Sequence, residues 1–197
     1  MLVFPDENGA FTNDTECVDG PRGDAETYLV VDVRRAIERR FDPARGARRW
    51  AIVGFSEGGT CALTLTLAHP HLFGTFVDIA GDLRPNAATG RDAMQRTIGR
   101  LYGGRAEEWS EHDPITLLHD DASPHVSGWI VSGLGDRHAF DAGRALVAAA
   151  QRSDVDVQLV SVPGTHSFAT VVRALQLELP RLADRLLAGG GSLAAIS

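Results

Sequence analysis

The chain has 197 residues, 44 % hydrophobic and 23 % charged, which is enough for one domain with a sizeable buried core. No run of eighteen apolar residues is present, so no spanning helix is encoded, and 26 acidic against 19 basic residues, a formal charge of −7, exclude a chain built mainly to bind nucleic acid. All the basic residues are arginine, a compositional bias from which no function is read.

Leu2 to Phe4 is a short apolar run ended by Pro5 and a polar loop, and it reads as a buried strand entering a long turn. The run is too short and too soon polar for an export segment, so the sequence as given reads as cytoplasmic, and as extracytoplasmic if a segment before Met1 carries an export signal or anchor. Cys17 follows in that loop. With Cys61 it makes the only cysteine pair, compatible with a disulfide, two free thiols, or one reactive and one buried thiol, and a bridge would favour an oxidising compartment.

From Asp24 to Phe41, Leu29, Val33, Ile37 and Phe41 recur every four residues among charged ones, which predicts an amphipathic helix with Asp24 as N-cap. A strand is expected over Trp50–Val53, a helix over Glu57–Ala68 closed by His69-Pro70, and a strand over Gly74–Ile79 leading to Gly81. A helix is expected over Asp92–Leu101. The region from Gly103 to His125 reads as irregular, with a short helical turn at Asp113-Pro114. A strand over Gly128–Ser132, a helix over Phe140–Gln151, a strand over Val155–Val162 and a last helix over Phe168–Leu187 complete the pattern, followed by a frayed tail over 188–197. Strands alternating with helices predict an α/β fold with a mostly parallel sheet covered on both faces.

Gly54-Phe55-Ser56-Glu57-Gly58 stands between a short apolar strand and a helix. A sharp strand-to-helix turn there needs small residues beside Ser56, and it exposes the serine hydroxyl at the carboxyl edge of the sheet. The amide of Glu57 at the helix start then faces a developing oxyanion, and the Glu57 side chain is expected to face solvent. Glycine-rich turns with a capping serine look the same in isolation; the flanking strand and helix favour a nucleophile.

A serine needs a base. Of seven histidines, His166, in Pro163-Gly164-Thr165-His166-Ser167, lies at the carboxyl end of a strand and so on the same sheet edge. Asp136, in Gly133-Leu134-Gly135-Asp136 after the preceding strand, is the acid that would orient it, giving the chain order Ser, Asp, His; Asp82 and Asp141 are the competing acids. His138 is a candidate substrate contact. His69-Pro70-His71 and His119-Asp120-Asp121 have no matching ligand set elsewhere, and a helix end and a solvated loop account for them, so no metal is expected.

With Gly-Phe-Ser-Glu-Gly-Gly, His69-Pro70-His71-Leu72-Phe73, Gly81-Asp82 and Gly164-Thr165-His166-Ser167 in hand, the chain resembles, from about Leu2 to Leu187, the esterase family that includes esterase D (S-formylglutathione hydrolase) and the secreted mycolyltransferases. The resemblance implies an α/β-hydrolase fold in one domain over 1–187, with Ser56 as nucleophile, His166 as base, Asp136 as acid and the Glu57 amide in the oxyanion hole. Mycolyltransferases carry glutamate at the acid position, so Asp136 is closer to the hydrolase members. In the family, further strands and a loop supplying the second oxyanion amide precede the stretch like Leu2–Phe4, so the resemblance implies an N-terminally shortened fold. The expected activity is cleavage of a small-molecule or lipid carboxylic ester or thioester without a cofactor. Acyl transfer to a sugar or lipid hydroxyl, and a non-catalytic binding domain, are the alternatives.

Overall fold

The computed structural model describes residues 1–10, 13–86, 88–119, 125–153 and 155–188. The tail expected at 188–197 lies outside these residues apart from Ala188, which ends the last helix. A two-residue hairpin, β1 (Asp19–Gly20) with β2 (Gly23–Asp24), precedes a helical run made of α1 (Ala25–Thr27), wider π-type turns over Tyr28–Val33, and α2 (Arg34–Phe41). A 3₁₀ turn, Ala47–Arg49, leads into β3 (Ala51–Phe55), then α3 (Glu57–Ala68), β4 (Thr75–Ile79), α4 (Ala93–Leu101), α5 (Ala106–Glu111) and α6 (Pro114–His119). The chain continues through β5 (Ser127–Gly133), α7 (Arg137–Ala150), β6 (Asp156–Val162) and α8 (Phe168–Ala188).

Strands β3, β4, β5 and β6 form one parallel sheet in chain order. Right-handed crossovers between sequential parallel strands put the connecting helices on one face. Leu63 and Leu67 of α3, Leu118 of α6 and Leu146 of α7 accordingly pack there with Phe76 and Ile130. Residues of opposite parity, Val77, Ile79, Trp129 and Val131, face α8 through Ala174 and Leu182. Cover on both faces explains why β4 and β5 are buried throughout and read as continuous rather than alternating strands. The run from Ala25 packs Val30 against Cys61, Leu65 and Phe73, beside α3.

Several expectations are corrected. Leu2–Phe4 is not a strand: Leu2, Val3 and Phe4 are exposed, and among the described residues they pair with no strand and β3 pairs only with β4. An apolar trio becomes a strand only where an edge receives it, and here the chain turns at Asp6–Gly9, where the Gly9 amide donates to Asp6 Oδ1. Asp24 stands at the cap position without a side-chain capping bond; Asp19 takes that work, accepting from the amide and hydroxyl of Thr27. The stretch after Gly103 holds two short helices, α5 and α6, too short to show a helical period. Helix α7 starts three residues earlier than expected because Asp136 caps it, accepting from the Ala139 amide. No described helix is long and apolar enough to cross a membrane.

Candidate active site

Strand β3 delivers Ser56 to the carboxyl edge of the sheet through a turn held open by strain. Ser56 has φ 57° and ψ −122°, a positive φ that a side-chain-bearing residue adopts only under constraint. Its amide donates to the Ile79 carbonyl of β4, and its own carbonyl accepts the amides of Gly59 and Thr60 that start α3. The glycines differ in what they do. A Cβ on Gly54 would stand 1.8 Å from the Gly58 carbonyl oxygen, so strand and helix cross where only glycine fits. Gly58 has open space, against the expectation that both flanking glycines are sterically required. The second tight position is Gly59, whose Cβ would lie 2.3 Å from Asp78 Oδ1. Glu57 is the first residue of α3, so its amide has no intrahelical acceptor.

His166 and Asp136 come together because two loops press on each other. The Gly135 amide donates to the Gly164 carbonyl at 2.7 Å, and a Cβ on Gly133 or Gly135 would lie 2.6 or 3.0 Å from that oxygen. The glycines thus let the β5–α7 loop close on the β6–α8 loop. Asp136 Oδ2 then lies 2.7 Å from His166 Nδ1, and His166 Nε2 lies 3.0 Å from Ser56 Oγ. The Asp136 carboxylate is buried, whereas the His166 side chain is 48 % exposed. Since a carboxylate only accepts, Nδ1 carries a proton, and Nε2 of the neutral ring is left as the acceptor for the serine hydroxyl. Phe55 packs against the imidazole, ring centroids 4.9 Å apart, and Phe168 also packs against Phe55, at 5.6 Å.

The Glu57 side chain does not face solvent as expected. Its Oε1 accepts the amides of Thr15 and Glu16, both at 2.9 Å, and its Oε2 accepts Asn8 Nδ2 at 2.8 Å. The residue after the nucleophile therefore ties down the N-terminal loop. A Cys17–Cys61 disulfide pins the same loop to α3, which resolves the alternatives left open for these cysteines. Both anchors sit on the helix that carries the Glu57 amide. The bridge spans 44 residues, and the chain entropy it removes from the unfolded state amounts to about 4 kcal/mol. Cys17→Ser with Cys61→Ser is expected to lower stability by about 2–4 kcal/mol, read from urea denaturation, with no comparable loss when the unmutated protein is unfolded without reductant.

Carboxyl groups crowd this region. Burial, with Glu57 nearby, pushes Asp14 up to about 6, and burial drives Glu16 well above the carboxylate range while the Asn86 amide bonds its Oε1. Beneath the elbow, Asp78 is fully buried, accepts the Gly81 amide at 2.8 Å, and is pushed by burial to about 7 from 3.8. A folded-state value above the unfolded one favours the protonated form. The stability Asp78 gives is thus complete below about pH 4 and lost as pH rises through about 7. Asp78→Asn keeps the acceptor for Gly81 and removes the titration. Thermal melts across this range are expected to show the variant gaining on the wild type as pH rises, and equal slopes would refute the assignment.

The remaining candidates fall elsewhere. Asp82 pairs with His138 Nε2 at 2.8 Å on the exposed rim and does not touch His166; its amide donates to Thr60 Oγ1. Asp141 is exposed on α7. His69 Nε2 and His112 Nε2 bind the two oxygens of Glu26, at 2.6 and 2.9 Å, joining α1, the end of α3 and α5. Burial opposes it, but those two hydrogen bonds hold Glu26 down at about 2. His71 and His119 are exposed, Asp120 and Asp121 lie outside the described residues, and no metal-ligating cluster of three or more occurs among the described residues. The Glu57 anchor is what the sequence reading missed. Only the glutamate itself, set beside the nucleophile and ahead of two glycines, hinted at it.

Residues 18–182 match the family described as Putative esterase, a span that includes Ser56, Asp136 and His166. An uncharacterized protein of Corynebacterium glutamicum is 30 % identical over 174 residues, covering 85 % of this chain and 40 % of that protein. The chain thus spans about two fifths of the length of this curated relative. Among solved structures, S-formylglutathione hydrolase from Agrobacterium tumefaciens superposes with a TM-score of 0.68 at 20 % identity, covering 87 % of this chain and 62 % of that one. A fluorophosphonate-binding serine hydrolase of Staphylococcus aureus gives 0.69 at 17 % identity, covering 88 % and 68 %. At these identities the structures speak to the fold. With the family match running from the disulfide loop to α8, and with a parallel sheet sandwiched between helices, the chain belongs to the Esterase family of α/β-hydrolase-fold proteins.

Proposed function

We propose that the protein is a serine esterase, cleaving carboxylic ester or thioester bonds of a small-molecule or lipid substrate through an acyl-enzyme on Ser56. The observation that carries this reading is the continuous chain of contacts from Asp136 Oδ2 through the His166 ring to Ser56 Oγ, at 2.7 and 3.0 Å. His166 Nε2 takes the serine proton as Oγ attacks the carbonyl carbon. The resulting oxyanion faces the Glu57 amide, and the imidazolium is stabilised by Asp136. His166 then protonates the leaving alkoxide or thiolate. In the second half, His166 takes a proton from water as it attacks the acyl carbon, then returns that proton to Ser56 Oγ as the Oγ–acyl bond breaks and the carboxylic acid product departs.

Water is favoured over a sugar or lipid hydroxyl as acyl acceptor because the imidazole is half exposed, leaving the acyl-enzyme open to solvent. The test is turnover of p-nitrophenyl esters together with labelling by a fluorophosphonate, the adduct located by peptide mass spectrometry. Labelling at Ser56 with carboxylate as product supports the reading. Partitioning of product toward an added alcohol would replace hydrolysis by transfer. A wild-type protein with neither labelling nor turnover would leave a non-catalytic domain.

A further inference from the structure

The arginines are unevenly placed. Residues 34–49 hold seven of the 19 basic side chains and only two acidic ones, Glu38 and Asp42, in a chain of formal charge −7. Two of the seven have structural work. Arg34 pairs with Glu38, donates to the Leu72 carbonyl and covers the Trp50 ring; Arg49 donates to the carbonyls of Leu186 and Leu187 at the end of α8. Arg39, Arg40, Arg45 and Arg48 are exposed and make no ion pair among the described residues. Arg45, Arg48 and Arg49 with His125 line an open concavity of about 480 Å³ beside Gly74, where β4 begins. Phe41, 54 % exposed, lies next to them in the chain, with the Arg40 guanidinium over its ring.

This face is the amino end of the sheet. Helix α2 ends at Phe41 and the chain returns through Ala47–Arg49 into β3, so Arg39 to Arg49 gather where the strands start. The strands are parallel, which puts Ser56, Asp136 and His166 at the opposite end, along with the carboxyls of Asp14, Glu16, Glu57 and Asp82. The exposed arginine cluster and this carboxyl cluster therefore stand at opposite ends of the strands. Strands of 5 to 7 residues at about 3.3 Å per residue separate the poles by about 20 Å, more than twice the Debye length of about 8 Å at physiological salt. The acidic pole is screened at that distance, and the overall negative charge does not prevent the basic pole from meeting an anionic surface.

We propose that Arg39, Arg40, Arg45 and Arg48, with Phe41, form a docking surface for anionic lipid headgroups. Guanidinium groups match headgroup phosphates in charge and in paired hydrogen bonds. The exposed phenyl ring distinguishes this patch from one made only for a polyanion such as a nucleic acid, because an aromatic side chain among arginines gains by entering the apolar boundary of a bilayer. Docked on this face, the carboxyl edge points away from the lipid, and the serine meets substrates arriving from the aqueous side.

The experiment is co-sedimentation of the full chain with phosphatidylcholine vesicles, with and without phosphatidylglycerol, at low and physiological salt. Binding is expected only with phosphatidylglycerol, weakening as salt rises. Arg39→Gln, Arg40→Gln, Arg45→Gln and Arg48→Gln combined are expected to lower the partition coefficient about a hundredfold or more, and Phe41→Ser alone about tenfold. The loop pair Arg45→Gln and Arg48→Gln gives a smaller fall in the same direction and serves if the fourfold variant does not show the wild-type melting transition. Equal binding to neutral vesicles, wild-type binding by these variants, or tighter binding to duplex DNA than to phosphatidylglycerol vesicles would each overturn the proposal. None of these readouts depends on ester turnover.

Discussion

Replacing Ser56 by alanine is expected to abolish fluorophosphonate labelling and to lower p-nitrophenyl ester turnover by about 10⁶-fold, the loss typical when the nucleophile of a serine–histidine pair is removed. His166→Ala should cost about as much, because a serine hydroxyl without its base is a poor nucleophile. The double variant is expected to be no worse than either single one. That non-additivity is the sharper test: if the two losses multiply, the residues do not act as a unit, and the 3.0 Å contact between Nε2 and Oγ is incidental. Folding is a small concern for Ser56→Ala, since the elbow is held by the Ser56 backbone rather than its hydroxyl, although the positive φ falls on alanine as it does on serine.

Asp136→Asn is expected to lower turnover by about 10⁴-fold with little change in stability. The separation is possible because Asp136 has two jobs on two oxygens. Oδ1 caps α7 through the Ala139 amide, and asparagine caps as well as aspartate. Oδ2 accepts from His166 Nδ1, and an amide nitrogen placed there would donate instead, forcing the imidazole into the tautomer that presents N–H to the serine. Rates should fall while the melting temperature holds. Asp82→Asn and Asp141→Asn are the controls; a loss of orders of magnitude in either, with Asp136→Asn active, would move the acid to that residue.

Much of this architecture was readable from local pattern. Helix α3 begins at Glu57 and ends at Ala68 where the sequence placed it, because a glycine-flanked serine precedes it and His69-Pro70 follows. The carboxyl ends of β3, β5 and β6 were legible as apolar runs, and in a parallel sheet such ends share an edge, which is why Ser56, Asp136 and His166 could be named as one group. What stayed hidden depends on contacts distant in sequence. Nothing local says that Glu57 would meet the amides of Thr15 and Glu16, or that Cys17 would reach Cys61. Leu2–Phe4 was misread for the complementary reason: apolar character gives the tendency to pair, but a strand also needs a partner edge. The short helices α5 and α6 are held by few buried residues, Trp109 in the first and Pro114 and Leu118 in the second, rather than by a periodic face.

The unequal glycines around the nucleophile bear on how such a site drifts under mutation. Gly54 is fixed by the backbone of α3 passing within contact distance, and Gly59 by the buried Asp78, whereas Gly58 faces empty space in the first turn of a helix. Alanine at 58 should be accepted and should even rigidify the helix start, while any side chain at 54 or 59 forces the strand and helix apart. A saturation library selected for ester cleavage would then return glycine at 54 and 59 and a mixture at 58. Pattern searches that insist on glycine two places after the serine would pass over working descendants of this fold, and those written around the crossing point would keep them.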